Sequence, residues 1–287
     1  MKRQLCILFT VILALSITAC SSTNEHTHYT NGRSATNTVA VPILMYHHIY
    51  HDVTNDFIVT PETFAMHMRV LYENGFNTVS LQQLVGFVDY GIPLPPNPVV
   101  ITFDDGYLSV YTYAFPVLKQ YGFVATSFII GEAVGTDTYK DTGSPTIPKF
   151  CYAQALSMAG VISIQSHTYD MHQWPPFEEG RARTNVLIWY DECEIEYEAA
   201  LRADHMRIKN DIYYHLGETV FAIAFPLGIY DERSQEILLS MGVRVTLTTN
   251  HGYNIIVYDE PQSLLSLNRV NIANHVDEYE LLSFIRG

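Results

Sequence analysis

Residues 99–106 read Val99-Val100-Ile101-Thr102-Phe103-Asp104-Asp105-Gly106, and this stretch decides how the rest of the chain is interpreted. Its apolar and β-branched residues predict a buried parallel strand, and the glycine after the two carboxylates predicts a turn. Two carboxylates at the end of a buried strand are costly unless they are paired, hydrogen-bonded or bound to a metal. A plain Asp-Gly turn is the simpler interpretation, so the meaning of this stretch depends on other parts of the chain.

On both sides of this stretch, strand-like and helix-like segments alternate from residue 39 onward. Strands are predicted at 41–46, 76–79, 99–103, 123–130, 161–165, 220–225, 243–247 and 267–272, and helices at 61–74, 80–90, 108–121, 153–159, 190–216, 231–241 and 276–285. Such alternation gives a parallel sheet with helices outside it. About seven or eight units in one chain predict an α/β fold with a closed or nearly closed barrel.

The composition narrows the possible partners. A chain of 287 residues with 48% hydrophobic residues can bury the core of one large domain or two small ones. Its formal net charge of −14 argues against a nucleic acid as the partner, because phosphate backbones attract basic proteins.

The beginning of the chain has the pattern of a targeting segment. Lys2 and Arg3 precede an apolar run at 5–14 that is too short to span a bilayer. The segment Ile17-Thr18-Ala19-Cys20 resembles a bacterial lipobox, which implies cleavage before Cys20 and lipidation of its thiol. An ordinary signal peptide with a chance cysteine is the alternative. We therefore predict a lipoprotein signal peptide at 1–19, a flexible tether at 20–38, a folded domain at 39–287, and an extracytoplasmic protein anchored by lipid to the bacterial membrane.

Three groups of chemically active residues follow three different predicted strands: Asp104 with Asp105, His167 with His172, and the turn at 226–228. In parallel barrels the carboxyl ends of the strands share one face, where active sites lie. The two histidines are five residues apart, which puts them neither on one helix face nor on one side of a strand, so they converge only on a loop. Two imidazoles and one carboxylate suit an open zinc site with room for water.

These groups make the chain recognisable. Thr102–Gly106, His167–His172 and Phe225–Gly228 resemble the motifs of the polysaccharide deacetylase family, also called the NodB-homology domain or carbohydrate esterase family 4. The opening Val41–His47 and the closing Asn268–Ile272 are also similar to this family, and most of all to its poly-β-1,6-N-acetylglucosamine de-N-acetylase branch. The resemblance extends over residues 39–287.

The resemblance implies a deformed (β/α) barrel of about seven parallel strands with outer helices, and metal-dependent removal of acetyl groups from a glycan. By position, Asp104 would be the general base, and Asp105, His167 and His172 would hold a divalent ion. Zinc is the ion expected first. Such an ion lowers the pKa of water and polarises the acetyl carbonyl. The backbone N–H of Leu227 would stabilise the resulting oxyanion.

The sequence departs from the family pattern in several places. Many members have His-x-x-x-His, whereas the spacing here is one residue longer. Leu227 stands where an aromatic residue is usual, and the arginine that precedes Pro226 in many members, where it orients the base, has no counterpart. The histidine that acts as catalytic acid has no clean match. We place it at His275 first and at His251 second.

Two histidines near the beginning of the domain and two cysteines are left over. His47 and His48 follow the first predicted strand, so one of them could border the site, although neither is expected to be a ligand. Cys151 and Cys193 could form a disulfide in an oxidising compartment, but one possible pair is no disulfide framework.

The sequence thus predicts a metal-dependent hydrolase that removes acetyl groups from N-acetylglucosamine units of a cell-surface or cell-wall polysaccharide. Its partners would be this glycan and, through the lipid, the membrane. An O-acetyl esterase acting on polysaccharides such as xylan, and an inactive glycan-binding barrel, are the alternatives. The sequence leaves the oligomeric state open.

Overall fold

The computed structural model describes residues 37–286 of the chain. The predicted signal peptide at 1–19, Cys20 and all but the end of the predicted tether lie outside the described residues. The strands are β1 (Thr38–Val41), β2 (Ile43–Tyr46), β3 (His48–Ile49), β4 (Ile58–Val59), β5 (Asn77–Thr78), β6 (Pro98–Phe103), β7 (Ala125–Ile129), β8 (Thr138–Tyr139), β9 (Ser144–Pro145), β10 (Ile162–Ser166), β11 (Ala222–Ala224), β12 (Val245–Leu247), β13 (Asn254–Val257) and β14 (Val270–Asn271).

Seven of these strands form one parallel, curled sheet in the order β12-β11-β10-β7-β6-β2-β14, with β5 paired to β6 beside this path. An isolated parallel bridge between Leu247 and Leu267 brings the two ends of the sheet together just before β14. Every residue of β6 and β7 is buried, as expected for strands covered on both faces. The predicted barrel of about seven parallel strands is therefore confirmed.

Helices cover the outside of this sheet and end where the sequence provides caps. The helices are α1 (Pro61–Glu73), α2 (Leu81–Tyr90), α3 (Phe115–Tyr121), α4 (Tyr152–Ser157), α5 (Glu194–Leu216), α6 (Glu232–Ser240) and α7 (Glu278–Arg286). The side chains of Thr60, Ser80 and Asp231 accept hydrogen bonds at the starts of α1, α2 and α6. Gly91 and Gly217 end α2 and α5 in the left-handed conformation.

Several boundaries differ from the prediction. The first predicted strand is divided into β1 and β2 at Pro42, which has no N–H to donate to a neighbouring strand. The helix predicted at 108–121 begins with a π-helical turn, Val110–Ala114, before α3. The start of α5 is at Glu194 rather than 190. The antiparallel pair of β1 and β13 was not predicted, because only tertiary contact brings these segments together.

Two irregular segments, at 131–148 and 174–188, contain little regular structure. The first carries the short antiparallel pair β8–β9, and the second a single 3-10 turn, Pro175–Phe177. Cys151 and Cys193 are free in this structure, so it contains no disulfide between them. None of the helices within residues 37–286 is both long and apolar enough to cross a membrane.

Candidate active site

The two carboxylates that follow β6 have different partners, because the chain turns between them. The Asp104 N–H still donates to the Tyr46 carbonyl at 3.0 Å, as a strand residue would. Asp105 and Gly106 then both adopt a φ of +69°, a left-handed conformation that aspartate tolerates better than most residues. The turn leaves Asp104 facing Arg269 and Asp105 facing two histidines.

Arg269 forms a bidentate pair with Asp104 inside the barrel. Its two terminal nitrogens donate to the two carboxylate oxygens at 2.8 and 2.7 Å, and its Nε donates to the Thr248 carbonyl at 2.7 Å. The guanidinium is fully buried and the carboxylate is 2% exposed. Burial alone would raise the pKa of Asp104, but Arg269 and the nearby histidines hold it below its usual value. Asp104 is therefore ionised at neutral pH.

Arg269 was not predicted to be functional, because the orienting arginine was expected before Pro226. Arg269 lies instead in the segment that leads into β14. A signal was available, since Arg269 is the charged residue of the closing segment Asn268–Ile272 and a buried charge needs a partner.

The structure brings together the three residues that the sequence predicted as ligands. The Nε2 atoms of His167 and His172 lie 3.4 and 3.8 Å from Asp105 Oδ1. One ligand atom from each residue lies within 4.8 Å of the other two. His167 directly follows β10, and the chain then turns through Thr168, with a φ of +72°, which allows histidines five residues apart to converge.

The donor atoms of this group fit a divalent cation. Among the described residues, Asp105 Oδ1 is a buried atom without a hydrogen-bond partner. His167 Nδ1 lies 2.8 Å from the Ala224 carbonyl and donates to it, which leaves the lone pair of Nε2 directed toward Asp105. Burial lowers the pKa of His172 to about 4, and Lys149 and the two histidines hold the pKa of Asp105 well below its usual value. The carboxylate is therefore ionised and His172 neutral at neutral pH, as metal ligation requires.

Leu227 lies on the turn that follows β11, with a φ of +58°. Its side chain is 54% exposed and lies at the rim of the cavity described below. The neighbouring N–H groups of Gly228 and Ile229 donate to Phe225 and Pro226, whereas the Leu227 N–H has no acceptor among residues 37–286. Leu227 thus presents a free backbone donor at the rim, and its role in an oxyanion contact stays a prediction.

The candidate catalytic acids are in different places. His47 follows β2, lines the cavity, and has its Nε2 3.9 Å from Asp104 Oδ2. His275 is exposed on the turn after β14, and His251 is exposed with its ring against Phe284, so neither lines the cavity. The structure therefore does not bring His275 or His251 to Asp104. His47 was predicted only to border the site, because its local sequence carries no sign of its distance from Asp104.

Two adjoining cavities open at this end of the barrel. One of about 510 Å³ contains Asp104, Asp105 and both histidine ligands. The other, of about 620 Å³, extends between the two irregular segments and shares Asp105, His172, Trp174 and Leu227 with the first. The Trp174 side chain is 57% exposed there. An exposed tryptophan beside a polar cleft suits the apolar face of a sugar ring.

The chain is a curled parallel barrel that holds a carboxylate–arginine pair and three potential metal ligands. This combination defines a (β/α)-barrel enzyme of the hydrolytic type. Comparison with known proteins specifies the class further. Residues 91–246, more than half of the chain, match the sequence profile described as polysaccharide deacetylase. The chain therefore belongs to the polysaccharide deacetylase family, as the motifs predicted. This match includes the three ligand candidates but neither His47 nor Arg269.

Individual relatives agree with this assignment. YxkH of Bacillus subtilis, whose name assigns it provisionally to the polysaccharide deacetylases, is 27% identical over 81% of this chain and 71% of its own length. The poly-beta-1,6-N-acetyl-D-glucosamine N-deacetylase of Escherichia coli K12 is 25% identical over 81% of this chain, which spans only 36% of that relative. A solved de-N-acetylase from Aggregatibacter actinomycetemcomitans superposes with a TM-score of 0.71 at 21% identity, over 86% of this chain and all of that one, and so shares the fold.

Proposed function

We propose that this deacetylase removes N-acetyl groups from N-acetylglucosamine units of a cell-surface or cell-wall polysaccharide, with a divalent ion, in the first place zinc, held by Asp105, His167 and His172. The observation that carries the proposal is the position of this three-ligand group beside the buried Asp104–Arg269 pair in one cavity. The name of the Escherichia coli relative supports an N-acetylglucosamine substrate. An extracytoplasmic, lipid-anchored location is also proposed, and its support is the Cys20 segment of the sequence.

The residues of the chain divide the work of amide hydrolysis. When bound, a divalent ion would polarise the acetyl carbonyl and make water more acidic. Asp104 is kept ionised by Arg269, so it can accept the proton of the attacking water. The free N–H of Leu227 can donate to the oxygen that becomes negative.

The leaving nitrogen needs a proton before it can depart as an amine. His47 can supply it in its protonated form, because its Nε2 lies in the cavity 3.9 Å from Asp104 Oδ2. Burial lowers the pKa of His47 below its usual value, so Nε2 must take up a proton before this step. Its neighbour His48 is bound through Nδ1 to the Ser109 hydroxyl at 2.8 Å. We therefore assign the catalytic acid to His47 in place of His275.

Metal content and acetate release test the proposal together. The purified domain is incubated with β-1,6-linked and chitin-type N-acetylglucosamine oligomers, peptidoglycan and acetyl-xylan, and its zinc content is measured. We expect one zinc per chain and acetate from an N-acetylated glycan. Release from acetyl-xylan alone would favour the esterase, and no release from any substrate would favour the inactive glycan-binding barrel.

Variants separate the proposed roles. Asp105→Asn, His167→Ala and His172→Ala should lose zinc and activity together, and full zinc occupancy in all three would contradict the ligand assignment. His47→Ala should keep its zinc and lose about 10²–10⁴-fold in turnover, as removal of a positioned acid usually does. The matched variant His275→Ala should retain turnover. If His275→Ala loses turnover and His47→Ala retains it, the catalytic acid is His275.

A further inference from the structure

The loop that joins the two histidine ligands is contacted from outside the barrel by two side chains of α5. The Arg207 guanidinium lies over the Tyr169 ring, 3.9 Å from its centroid, whereas Asp204 bonds to the loop backbone. Asp204 accepts a hydrogen bond from the Tyr169 N–H at 2.8 Å through Oδ1, and another from the Asp170 N–H at 2.7 Å through Oδ2. These two residues lie midway between His167 and His172 in the sequence. One carboxylate therefore satisfies two consecutive N–H groups of the loop.

The opposite side of the same peptides is bonded to the segment that follows β7. The Thr168 and Tyr169 carbonyls accept from the N–H groups of Gly131 and Glu132 at 3.1 and 2.9 Å. The contact is close, since a Cβ added to Gly131 would lie 2.5 Å from the Tyr169 ring. The loop is thus held between α5 and the sheet, and Asp204 is the residue of α5 that bonds to its backbone.

The bonds to Asp204 are of the stronger kind, because an ionised carboxylate accepts them. Burial raises the pKa of Asp204 to about 6, and the two N–H donors act in the opposite direction, so the ionised form still predominates at neutral pH. The loop needs such support, because it includes Thr168, a β-branched residue held in the left-handed conformation that such residues rarely adopt.

We infer that Asp204 is a positioning residue of the metal centre: it orders the loop between the two histidines in advance, so that both Nε2 atoms face Asp105 before a metal binds. This inference rests on the proposed metal-dependent function. It goes beyond that function because Asp204 contacts neither the proposed ligands nor the cavity. Partners that orient metal ligands typically contribute 10–100-fold to metal affinity.

The test compares two variants of one helix in the mature protein. Asp204→Asn keeps the size of the side chain but offers one acceptor oxygen and a competing donor, so one loop N–H loses its partner. Asp211→Asn removes the same charge about two turns further along α5, where the loop N–H groups have no contact. The readouts are the zinc dissociation constant, measured by chelator competition, and the visible spectrum of the cobalt-substituted protein.

We expect Asp204→Asn to bind zinc about 10–100-fold more weakly and to show an altered cobalt spectrum, while Asp211→Asn stays within about twofold of the parent. Circular dichroism of the metal-free variants checks that they remain folded. A folded Asp204→Asn variant with the affinity and spectrum of the parent would overturn the inference. If the parent itself bound no zinc, the proposed function would fail instead, so the two failures are distinguishable.

A measurement on the unmodified protein covers the case in which Asp204→Asn does not fold. If Asp204 orders the loop in advance, the Tyr169 and Asp170 amides should exchange with solvent at least about tenfold more slowly than unstructured amides in the metal-free parent. Exchange of both amides at the unstructured rate, with protection appearing only when zinc is added, would show that the metal orders the loop and would overturn the inference.

Discussion

Replacing Arg269 by methionine tests the buried pair on which the assignment of Asp104 depends. The substitution removes both donors to the Asp104 carboxylate and leaves an apolar side chain of similar length. Asp104 is then a buried carboxylate without its counter-charge. The structure therefore predicts that replacing Arg269 lowers both stability and turnover, although this residue lies outside the matched family profile.

The size of the loss in unfolding free energy follows from the burial of the Arg269–Asp104 pair. Breaking a buried ion pair by removing one partner costs about 3–5 kcal/mol, because the remaining charge has no compensation. The upper part of this range, about 4–5 kcal/mol, applies here, since the guanidinium is fully buried and also donates to the Thr248 carbonyl and the Thr102 hydroxyl. For a domain of this size, such a loss lowers Tm by about 8–20 °C.

The assay is urea unfolding of the metal-free protein, arranged as a double-mutant cycle with Arg269→Met, Asp104→Asn and the combined variant. The combined variant should be less destabilised than the sum of the two single variants by about 2 kcal/mol, because neither charge is left alone. Arg202→Met is the matched control: its ion pair with Glu198 is 40% and 30% exposed, so its loss should cost no more than about 1 kcal/mol.

Turnover gives the second readout of the same variant. Without the guanidinium, burial favours the protonated form of Asp104, which cannot accept a proton, so turnover should fall about 10²–10⁴-fold. An Arg269→Met variant within 1 kcal/mol of the parent stability, with strictly additive effects in the cycle, would refute the reasoning about the pair.

Three further predictions concern other residues. Asp104→Asn should keep its zinc while turnover falls about 10²–10⁴-fold, since a base is lost and no ligand; zinc content and acetate release check this, and loss of zinc as complete as in Asp105→Asn would contradict it. Burial lowers the pKa of His205 to about 4 from the ordinary 6.5, so its neutral form stabilises the fold above pH 6.5 and this contribution is lost as the pH falls toward 4. His205→Leu should therefore remove about 3 kcal/mol of the acid destabilisation at pH 4, measured as unfolding free energy against pH, and identical pH profiles for parent and variant would refute it. Cys20→Ala should move the protein from the membrane fraction to the soluble extracytoplasmic fraction with its specific activity unchanged, and full retention in membranes would show that the anchor lies elsewhere.

Much of the fold could be predicted because its signals are local. Apolar runs marked β2, β6, β7 and β10, and cap residues such as Ser80 and Asp231 marked the helix starts. Their alternation implied the parallel order, since a strand–helix–strand unit has few arrangements. The boundaries were less accurate where a local rule competes with the pattern, as at Pro42, whose missing N–H divides one predicted strand into two.

The site was predictable where its residues lie next to each other in the sequence. The carboxylates of Asp104 and Asp105, the histidines at 167 and 172, and the turn at Leu227 each follow a strand that the sequence indicated. Their convergence followed from the common face of parallel strand ends. The identity of the catalytic acid stays a prediction, because His275 and His47 each follow a strand, and nothing in the local sequence distinguishes their distances from Asp104.

The sequence by itself determined the class of fold, the polysaccharide deacetylase motifs and the three ligand candidates, because strands, caps and turns depend on neighbouring residues. Only the tertiary structure decided which groups from distant parts of the chain complete the site. Arg269 is 165 residues from Asp104, and Asp204 of α5 reaches the histidine loop. Their contacts depend on how the curled sheet closes and where a helix packs on it, and no short stretch of sequence carries that information.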